Sequence, residues 1–212
     1  MALKLKQDLR SIVANFQLPG RFVSGELLRT GNIHTTFVIK KAQGNREKRY
    51  ILQCINHNVF KSPPRVMQNI VRVTRHIRNK LSSIRENDID RRVMNVIEVL
   101  DGRPFYQDGQ GHYWRVYTFI EKSRNYNIVD SEKLAFESAR AFGLFQKNLI
   151  DFPLPRLTET IPDFHHSPKR LRALERSIKR DSYNRARKAL LEIRAIQKQS
   201  SCLGTIVRLW KG

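Results

Sequence analysis

The chain is poor in cysteine and has no long apolar run. Only two of its 212 residues are cysteines, Cys54 and Cys202, and they lie far apart in the sequence. Such usage is typical of free thiols in a reducing compartment, so the sequence argues against a disulfide scaffold and predicts a cytoplasmic location. No apolar stretch reaches the ~18 residues of a membrane span, and the charged N-terminal residues do not resemble a secretory signal. We therefore expect no membrane partner.

Acidic residues are also scarce. The sequence has 19 Asp and Glu against 40 Lys and Arg, a formal net charge of +21, which is typical of nucleic-acid-binding proteins. The charge is spread along the chain, however, because residues 169–212 carry a net of +10 (thirteen basic, three acidic) and the first 168 carry the other +11. Aromatic residues that could stack on bases instead follow apolar periods typical of a core; they are Phe119, Phe136, Phe142 and Phe145. A nucleic-acid partner is therefore not favoured, and a basic composition throughout the organism's proteins, or an absent acidic partner region, explains the imbalance equally well.

Apolar periodicity predicts an α+β fold. Apolar residues from Leu5 to Phe16 recur every three or four positions, as on one face of a short helix, and Pro19-Gly20 ends this pattern. Three extended runs follow at residues 22–29, 33–40 and 50–55, joined by turns that contain Gly and Asn. Short turns of this kind are typical of an antiparallel meander.

A long helix and further strands follow the meander. Ser62-Pro63-Pro64 is a favourable helix start because proline is tolerated in the first turn, and apolar residues then recur at helical steps from Val66 to Ile84. Residues 93–100, 103–107 and 112–120 read as strands separated by Asp-Gly turns. After Glu121 the apolar pattern is helical. We therefore predict two domains, a sheet lobe at residues 1–121 and a helical segment at residues 122–212.

This order of elements is typical of the small lobe of a protein-kinase-like fold. In that fold the turn between the first two strands lies over the nucleotide phosphates, and here that turn is residues 30–36. Gly31 would allow close backbone approach, and exposed N–H groups can bind phosphate oxygens. A Gly-Asn pair is also an ordinary hairpin turn, so the turn alone does not establish a nucleotide site.

Several short segments, taken together, carry a resemblance to a known family. They are Gly31-Asn32-Ile33-His34-Thr35-Thr36-Phe37, Tyr50-Ile51-Leu52-Gln53, Asn56 through Phe60, Met67-Gln68-Asn69-Ile70 with Val73-Thr74, Trp114-Arg115-Val116-Tyr117 with Phe119-Ile120-Glu121, Ala141-Phe142-Gly143 with Phe145-Gln146, and Leu157-Thr158-Glu159-Thr160-Ile161 with Phe164-His165. In this order and spacing, from about residue 5 to residue 196, they resemble the N-acetylhexosamine 1-kinases of the aminoglycoside phosphotransferase and choline kinase superfamily. The resemblance implies a small lobe followed by the first helices of a large lobe. It also implies phosphorylation of the anomeric hydroxyl of N-acetylglucosamine or N-acetylgalactosamine, with ATP and Mg²⁺ as cofactors.

The resemblance also implies a set of site residues. Adenine would contact the linker backbone, the phosphates would lie under the first turn and beside the third strand, and His165 would contact the sugar. The implied cofactor-binding residues are Gly31, Asn32, His34, Thr35, Gln53, Phe119, Ile120 and Glu121. Three of these residues also fit a role without any ligand contact. Glu121 could be an exposed acidic residue of the linker, Gln53 could be a strand residue that faces solvent, and His165 could simply fill its loop.

The chain departs from the protein-kinase pattern beside the expected phosphates. Protein kinases have a lysine in the third strand that pairs with a glutamate on the following helix. Gln53 and Asn69 occupy the nearest equivalent positions here, so phosphate contact is expected through hydrogen bonds rather than an ion pair. Cys54 is interpreted as a small packed residue. Neither the adjacent pair His165-His166 nor the acids Glu159 and Asp163 is favoured as a metal or acid–base pair.

The reaction also needs groups that we do not find in this chain. In relatives a His-Asn-Asp-type loop and a later Asp-x-Asp segment supply the catalytic base and the metal ligands, whereas residues 205–212 resemble the stretch just before that loop. We therefore predict no catalytic and no metal-binding residues, an N-terminal portion of such a kinase that is inactive alone, and exposed apolar faces on the helices after Leu134. The alternative hypothesis is a non-catalytic basic module, built on a kinase small lobe, that binds a nucleotide, a nucleic acid or an acidic partner.

Overall fold

The computed structural model describes residues 9–29, 31, 33–126, 128–205 and 207. It divides by internal contacts into two compact units, Met1–Thr160 and Ile161–Gly212. The first unit contains a six-stranded antiparallel sheet with helices, and the second is helical. The α+β class predicted from the sequence is confirmed.

The sheet is built around a three-strand meander. Its strands are β1 (Arg21–Leu28), β2 (Thr35–Gln43), β3 (Arg46–Ile55), β4 (Val96–Ile97), β5 (Tyr106–Gln107) and β6 (Tyr113–Thr118), in the order β1-β2-β3-β6-β4, with β5 also pairing with β6. All pairs are antiparallel. The two-residue turn between β2 and β3 has Gly44 at φ +59°, a left-handed conformation that glycine adopts without strain. The predicted meander is confirmed.

The strand predicted at residues 93–100 is much shorter in the structure, where β4 has only two residues. The backbone after β4 pairs with the segment that follows the first helix instead of with β6. Gln17 N–H donates to the Glu98 carbonyl at 2.9 Å, Leu100 N–H donates to the Asn15 carbonyl at 2.9 Å, and Phe16 forms a bridge with Val99. A distant segment therefore satisfies hydrogen bonds that the local pattern assigned to a longer strand.

Six α-helices accompany the sheet in the described ranges. They are α1 (Leu9–Ala14), α2 (Pro63–Ser83), α3 (Ile89–Arg92) and α4 (Glu132–Leu149) in the first unit, and α5 (Ser167–Arg180) and α6 (Leu190–Lys198) in the second. Short 3₁₀ segments at Ala186–Ala189 and Ser200–Gly204 flank α6. The long helix predicted after Ser62 is confirmed, with its two prolines in the first turn, where a missing N–H costs nothing. None of these helices is both long and apolar enough to cross a bilayer.

The two faces of the sheet differ. On the first, which we call the back face, large side chains pack with α1 into the main core; the most buried of them are Tyr50, Leu52, Ile39, Trp114 and Val116. Because side chains alternate along a strand, the intervening residues of β3 and β6 lie on the opposite face. We call this second surface the front face, and α2 approaches it through Met67, whose sulfur lies 3.9 Å from Arg115 Nη1.

Helix α4 is amphipathic, but most of its apolar side is uncovered, and Leu149 at its end packs against Ile77 and Leu81 of α2. Ser131 caps its N-terminus by accepting a hydrogen bond from Leu134 N–H at 3.3 Å. Phe136, Phe142 and Phe145 are 65%, 72% and 48% exposed, so their interpretation as core residues is wrong for this structure. The expectation that helices after Leu134 leave apolar faces exposed is confirmed for α4, which packs on α2 within the first unit.

Cys54 lies in the back-face core, as expected of a small packed residue, and Cys202 is exposed. Burial, together with the nearby Asp108 carboxylate, raises the pKa of the Cys54 thiol from 9.0 to about 11. The folded chain therefore keeps this proton between pH 9 and 11 while the unfolded chain loses it. By linkage, that difference lowers the free energy of unfolding as pH rises through this window.

We expect Cys54→Ala to remove this part of the pH dependence. Urea unfolding of the native sequence and of the variant should show that the native sequence loses about 1–2 kcal/mol more stability between pH 8 and pH 10.5. Cys202→Ala is the matched control and should leave the pH dependence unchanged. Equal pH dependence in the native sequence and Cys54→Ala would contradict the burial of this thiol.

Candidate functional site

Three polar side chains form a row across the front face of the sheet. Strand register places Thr36 of β2 beside Gln53 of β3, and Gln53 beside Arg115 of β6. We call Thr36, Gln53 and Arg115 the polar row. Its neighbours in the next register row are Val38, Ile51 and Tyr117. Polar groups on a face that a helix covers require hydrogen-bond partners, and these three find them in one another.

The hydrogen bonds run in one direction along the row. Arg115 donates from Nε and Nη2 to Gln53 Oε1, at 3.0 and 2.8 Å. Gln53 in turn donates from Nε2 to Thr36 Oγ1 at 2.9 Å. The amide of Gln53 is therefore held with its oxygen toward the guanidinium and its nitrogen toward the hydroxyl. Gln53 is half-buried and takes part in this network on both sides.

Arg115 is the least ordinary member of the row because it is half-buried without an acidic partner. Among the residues that the structure describes, its hydrogen bonds go only to the Gln53 amide and the Met67 sulfur, and no carboxylate pairs with it. Burial lowers the pKa of Arg115, and burial raises the pKa of the neighbouring Tyr117. An arginine keeps its charge at neutral pH even so. The front face thus contains an uncompensated positive charge.

His34 adds a second donor near this charge. Its Nδ1 accepts the Asn56 N–H at 3.2 Å, and its ring stacks on Phe60 with a centroid distance of 5.4 Å. Burial lowers the pKa of His34, and the positive charge of Arg115 lowers it further. A neutral imidazole whose Nδ1 accepts must have its proton on Nε2. The His34 Nε2–H is therefore a donor close enough to the Arg115 guanidinium to feel its charge.

The other predicted phosphate residues lie around the same turn. Gly31 is exposed, and a Cβ placed on it would meet only the His34 carbonyl oxygen, at 3.8 Å, so packing does not require glycine there. Thr35 pairs with Cys54 in the sheet register, so strand alternation places it on the back face and makes Thr36 the threonine of the polar row. Asn32 lies outside the described residues.

The linker after β6 is held by two arginines. The Glu121 carboxylate accepts from both Arg49 Nε (2.9 Å) and Arg49 Nη2, and its carbonyl accepts from Arg91 Nη1. The Arg49 guanidinium also lies 4.0 Å from the centre of the Phe119 ring, and the hydrogen bond from Arg49 lowers the pKa of Glu121. Glu121 is thus an exposed ion-pair partner, and its side chain positions the linker.

The linker backbone is only partly engaged. Phe119 N–H donates to the Arg49 carbonyl at 3.3 Å, and the Ile120 carbonyl accepts from Ser123 Oγ at 2.8 Å. Within the described ranges, the N–H groups of Ile120 and Glu121 have no hydrogen-bond acceptor. These two donors are the linker groups that a heterocyclic base could use.

Asn69 has a partner that the sequence did not suggest. Its Nδ2 donates to the Thr158 carbonyl at 2.7 Å, and its Oδ1 accepts the Thr158 N–H at 3.0 Å. One turn further along α2, Arg72 donates to the carbonyls of Pro153 (3.1 Å) and Pro155. The side chains of α2 therefore anchor residues 153–158, and Asn69 is not part of the polar row.

The acidic candidates do not assemble into a metal site. The sequence contains one Asp-x-Asp segment, Asp88-Ile89-Asp90, but Asp90 accepts a hydrogen bond from Arg78 at 2.5 Å and lies on α3. In the second unit, Asp163 pairs with Lys169 at 2.6 Å, while His165 makes an edge-on contact with Phe164 at 4.7 Å. Over the described ranges, no three His, Cys, Asp or Glu residues come together in a way that could hold a metal ion.

Arg115 and Thr36 lie within the segments that carry the family resemblance, but neither was predicted to be a site residue. The available signal was an arginine in the middle of an otherwise aromatic and apolar strand, Tyr113 to Tyr117, at a position that alternation places with Gln53. A charged residue in such a place indicates either a buried partner or a ligand. A scan against protein-family models found none that matches the chain.

We expect Asn69→Ala to release residues 153–158 locally. The substitution leaves the Thr158 N–H and carbonyl without their partners, which costs about 1–2 kcal/mol of local stability. Hydrogen exchange at the Thr158 amide should accelerate by about five- to thirtyfold. Asn79→Ala, at an exposed position of the same helix, is the matched control. Unchanged exchange at Thr158 in a folded Asn69→Ala protein would show that the side chain does not anchor this segment.

Proposed function

We propose that the first unit contains the nucleotide-binding lobe of an ATP-dependent sugar 1-kinase similar to the N-acetylhexosamine 1-kinases. The observation that carries this proposal is the uncompensated guanidinium of Arg115, which Gln53 holds in the polar row on the front face. A triphosphate is the abundant cellular group that such a site suits, because phosphate oxygens favour arginine and neutral N–H donors.

The order of elements supports the same reading. A three-strand meander leads into the long helix α2, then into β6 and a linker, as in the small lobe of kinase-like folds. The turn at residues 31–34 and the polar row would bind the phosphates, and the free N–H groups of Ile120 and Glu121 would bind the adenine. The sugar site would then need residues from a large lobe, where the family resemblance places His165.

The residues present fit the phosphates of ATP but not its magnesium. The front face offers N–H and O–H donors and a cation, whereas Mg²⁺ needs oxygen ligands such as carboxylates. In the described part of the chain, no carboxylates converge near the polar row. We therefore propose binding of ATP by this chain and assign it no step of phosphoryl transfer.

We expect this chain to bind ATP without phosphorylating a sugar. Equilibrium dialysis with labelled ATP should show saturable binding. Incubation with ATP, Mg²⁺ and N-acetylglucosamine or N-acetylgalactosamine should yield no sugar 1-phosphate above a protein-free blank. Removing base and metal ligands together lowers rates by many powers of ten, so turnover should fall below detection. Recovered sugar 1-phosphate would contradict the inactivity, and absence of any nucleotide binding would contradict the proposed lobe.

A second candidate function rests on the second unit. Helix α5 has six basic residues and one acidic residue, and Tyr183 beyond it is 79% exposed beside Arg185, whose guanidinium lies 5.4 Å from the ring centre. Basic side chains around an exposed aromatic ring suit a single-stranded nucleic acid. This unit would then be a polyanion-binding module, independent of the polar row.

Salt dependence distinguishes the second candidate. If the second unit binds single-stranded RNA, the affinity for a fluorescent oligonucleotide should fall steeply with salt, and Arg172→Glu with Arg176→Glu should abolish binding. Arg115→Met should leave it unchanged, since that residue lies in the other unit. Affinity that is equally low in the native sequence and in the double variant would exclude this function.

A further inference from the structure

We infer that Arg115, on β6, provides the cation that binds the nucleotide phosphates, in place of a lysine on the third strand, and that Gln53 is its positioning residue. This inference rests on the proposed nucleotide-binding function. Its ligand is the polyphosphate of a nucleoside di- or triphosphate. It differs from the expectation drawn from Gln53, which was phosphate contact without an ion pair.

The first argument is the contrast between Arg115 and the ion-paired arginines of the first unit. Several arginines of the first unit form ion pairs with a carboxylate; they are Arg49, Arg78, Arg92, Arg103 and Arg140. Arg115 is half-buried, as Arg49 and Arg78 are, yet its described partners are an amide and a thioether rather than a carboxylate. A charge taken from water is normally paired, so the missing partner is the feature that an anionic ligand would explain.

The second argument is the number of donors that remain. A guanidinium has five N–H donors. The Gln53 oxygen accepts from two nitrogens, and a third, Nη1, faces the weakly accepting sulfur of Met67 at 3.9 Å. Five minus three leaves two N–H groups with no acceptor among the described residues. Two donors on one planar group match two phosphate oxygens.

The third argument is the role of Gln53. Its oxygen fixes one edge of the guanidinium without neutralising the charge, and Thr36 fixes the amide in turn. A glutamate at this position would form a salt bridge with Arg115 and reduce its attraction for a phosphate. The amide therefore positions the cation and leaves its full charge available. His34, whose pKa the charge of Arg115 lowers, contributes its Nε2–H as a neutral second donor.

The test compares ATP with one ligand that lacks its phosphates and with another that lacks its nucleoside. The 212-residue chain is titrated, without divalent metal, with ATP, adenosine and inorganic tripolyphosphate, and binding is measured calorimetrically. We expect Arg115→Met to weaken ATP binding by about ten- to hundredfold, as for loss of a charge-assisted hydrogen bond. The affinity for adenosine should stay within about twofold of the native value. The matched control is Arg103→Met, which removes an exposed arginine paired with Asp101. It should leave both affinities unchanged.

Gln53→Glu tests the positioning role with a variant of almost the same shape. The new carboxylate would pair with Arg115, so the fold should be retained while the affinity for ATP falls by about tenfold or more. The slope of ATP affinity against salt should also become shallower. If the Gln53 amide had only a structural role, Gln53→Glu would change neither the ATP affinity nor its salt slope as long as adenosine binding stayed constant. Unchanged ATP affinity in folded Gln53→Glu would overturn the positioning role.

The remaining outcomes separate the inference from the proposed function. If the native chain binds neither ATP nor adenosine, the nucleotide-binding function fails and this inference fails with it. If folded Arg115→Met binds ATP like the native chain, only the inference fails. Tight binding of tripolyphosphate, together with no binding of adenosine, would identify a polyphosphate site and overturn the nucleotide assignment. Should Arg115→Met not fold, ATP protection of Arg115 against phenylglyoxal in the native chain decides, and lack of protection overturns the inference.

Discussion

The hydrogen-bonded register between β3 and β6 is the constraint on which both the core and the candidate site depend. It places Leu52 beside Val116 on the back face and Gln53 beside Arg115 on the front face. Because side chains alternate along a strand, a slip of one residue would turn Trp114 toward α2 and Arg115 into the main core. The burial of Trp114 therefore stabilises the position of Arg115, although the two side chains lie on opposite faces.

Asp108 fixes this register from outside the sheet. Burial tends to raise the pKa of this carboxyl, but hydrogen bonds from Trp114 and from the backbone of His112 and Gln110 outweigh burial, and the pKa lies below its usual value. The carboxylate accepts the Trp114 indole N–H at 2.8 Å, so the largest core residue is oriented by the turn between β5 and β6. The aspartate of an Asp-Gly turn thus positions the strand that presents the candidate cation.

Local patterns predicted the elements better than they predicted their partners. The meander and α2 follow from alternation, helical spacing and turn chemistry within a few residues, so the sequence suffices for them. The short β4, the pairing of Asn69 with Thr158 and the pairing of Arg115 with Gln53 involve residues distant along the chain. Likewise, the spacing of Phe142 and Phe145 predicts an apolar helix face but not whether another element covers it.

The positive charge of the chain consists of two physically different populations. Charges on the second unit lie mostly in water, where salt screens them and each interacts weakly with a partner. Arg115 lies in a partly dehydrated site, where the lower effective dielectric constant strengthens its attraction for an anion. Overall charge therefore says little about the ligand of the first unit. Arg115 is oriented by a neutral amide and has no carboxylate partner among the described residues, which is the stronger reason to propose a phosphate ligand for the front face of the sheet.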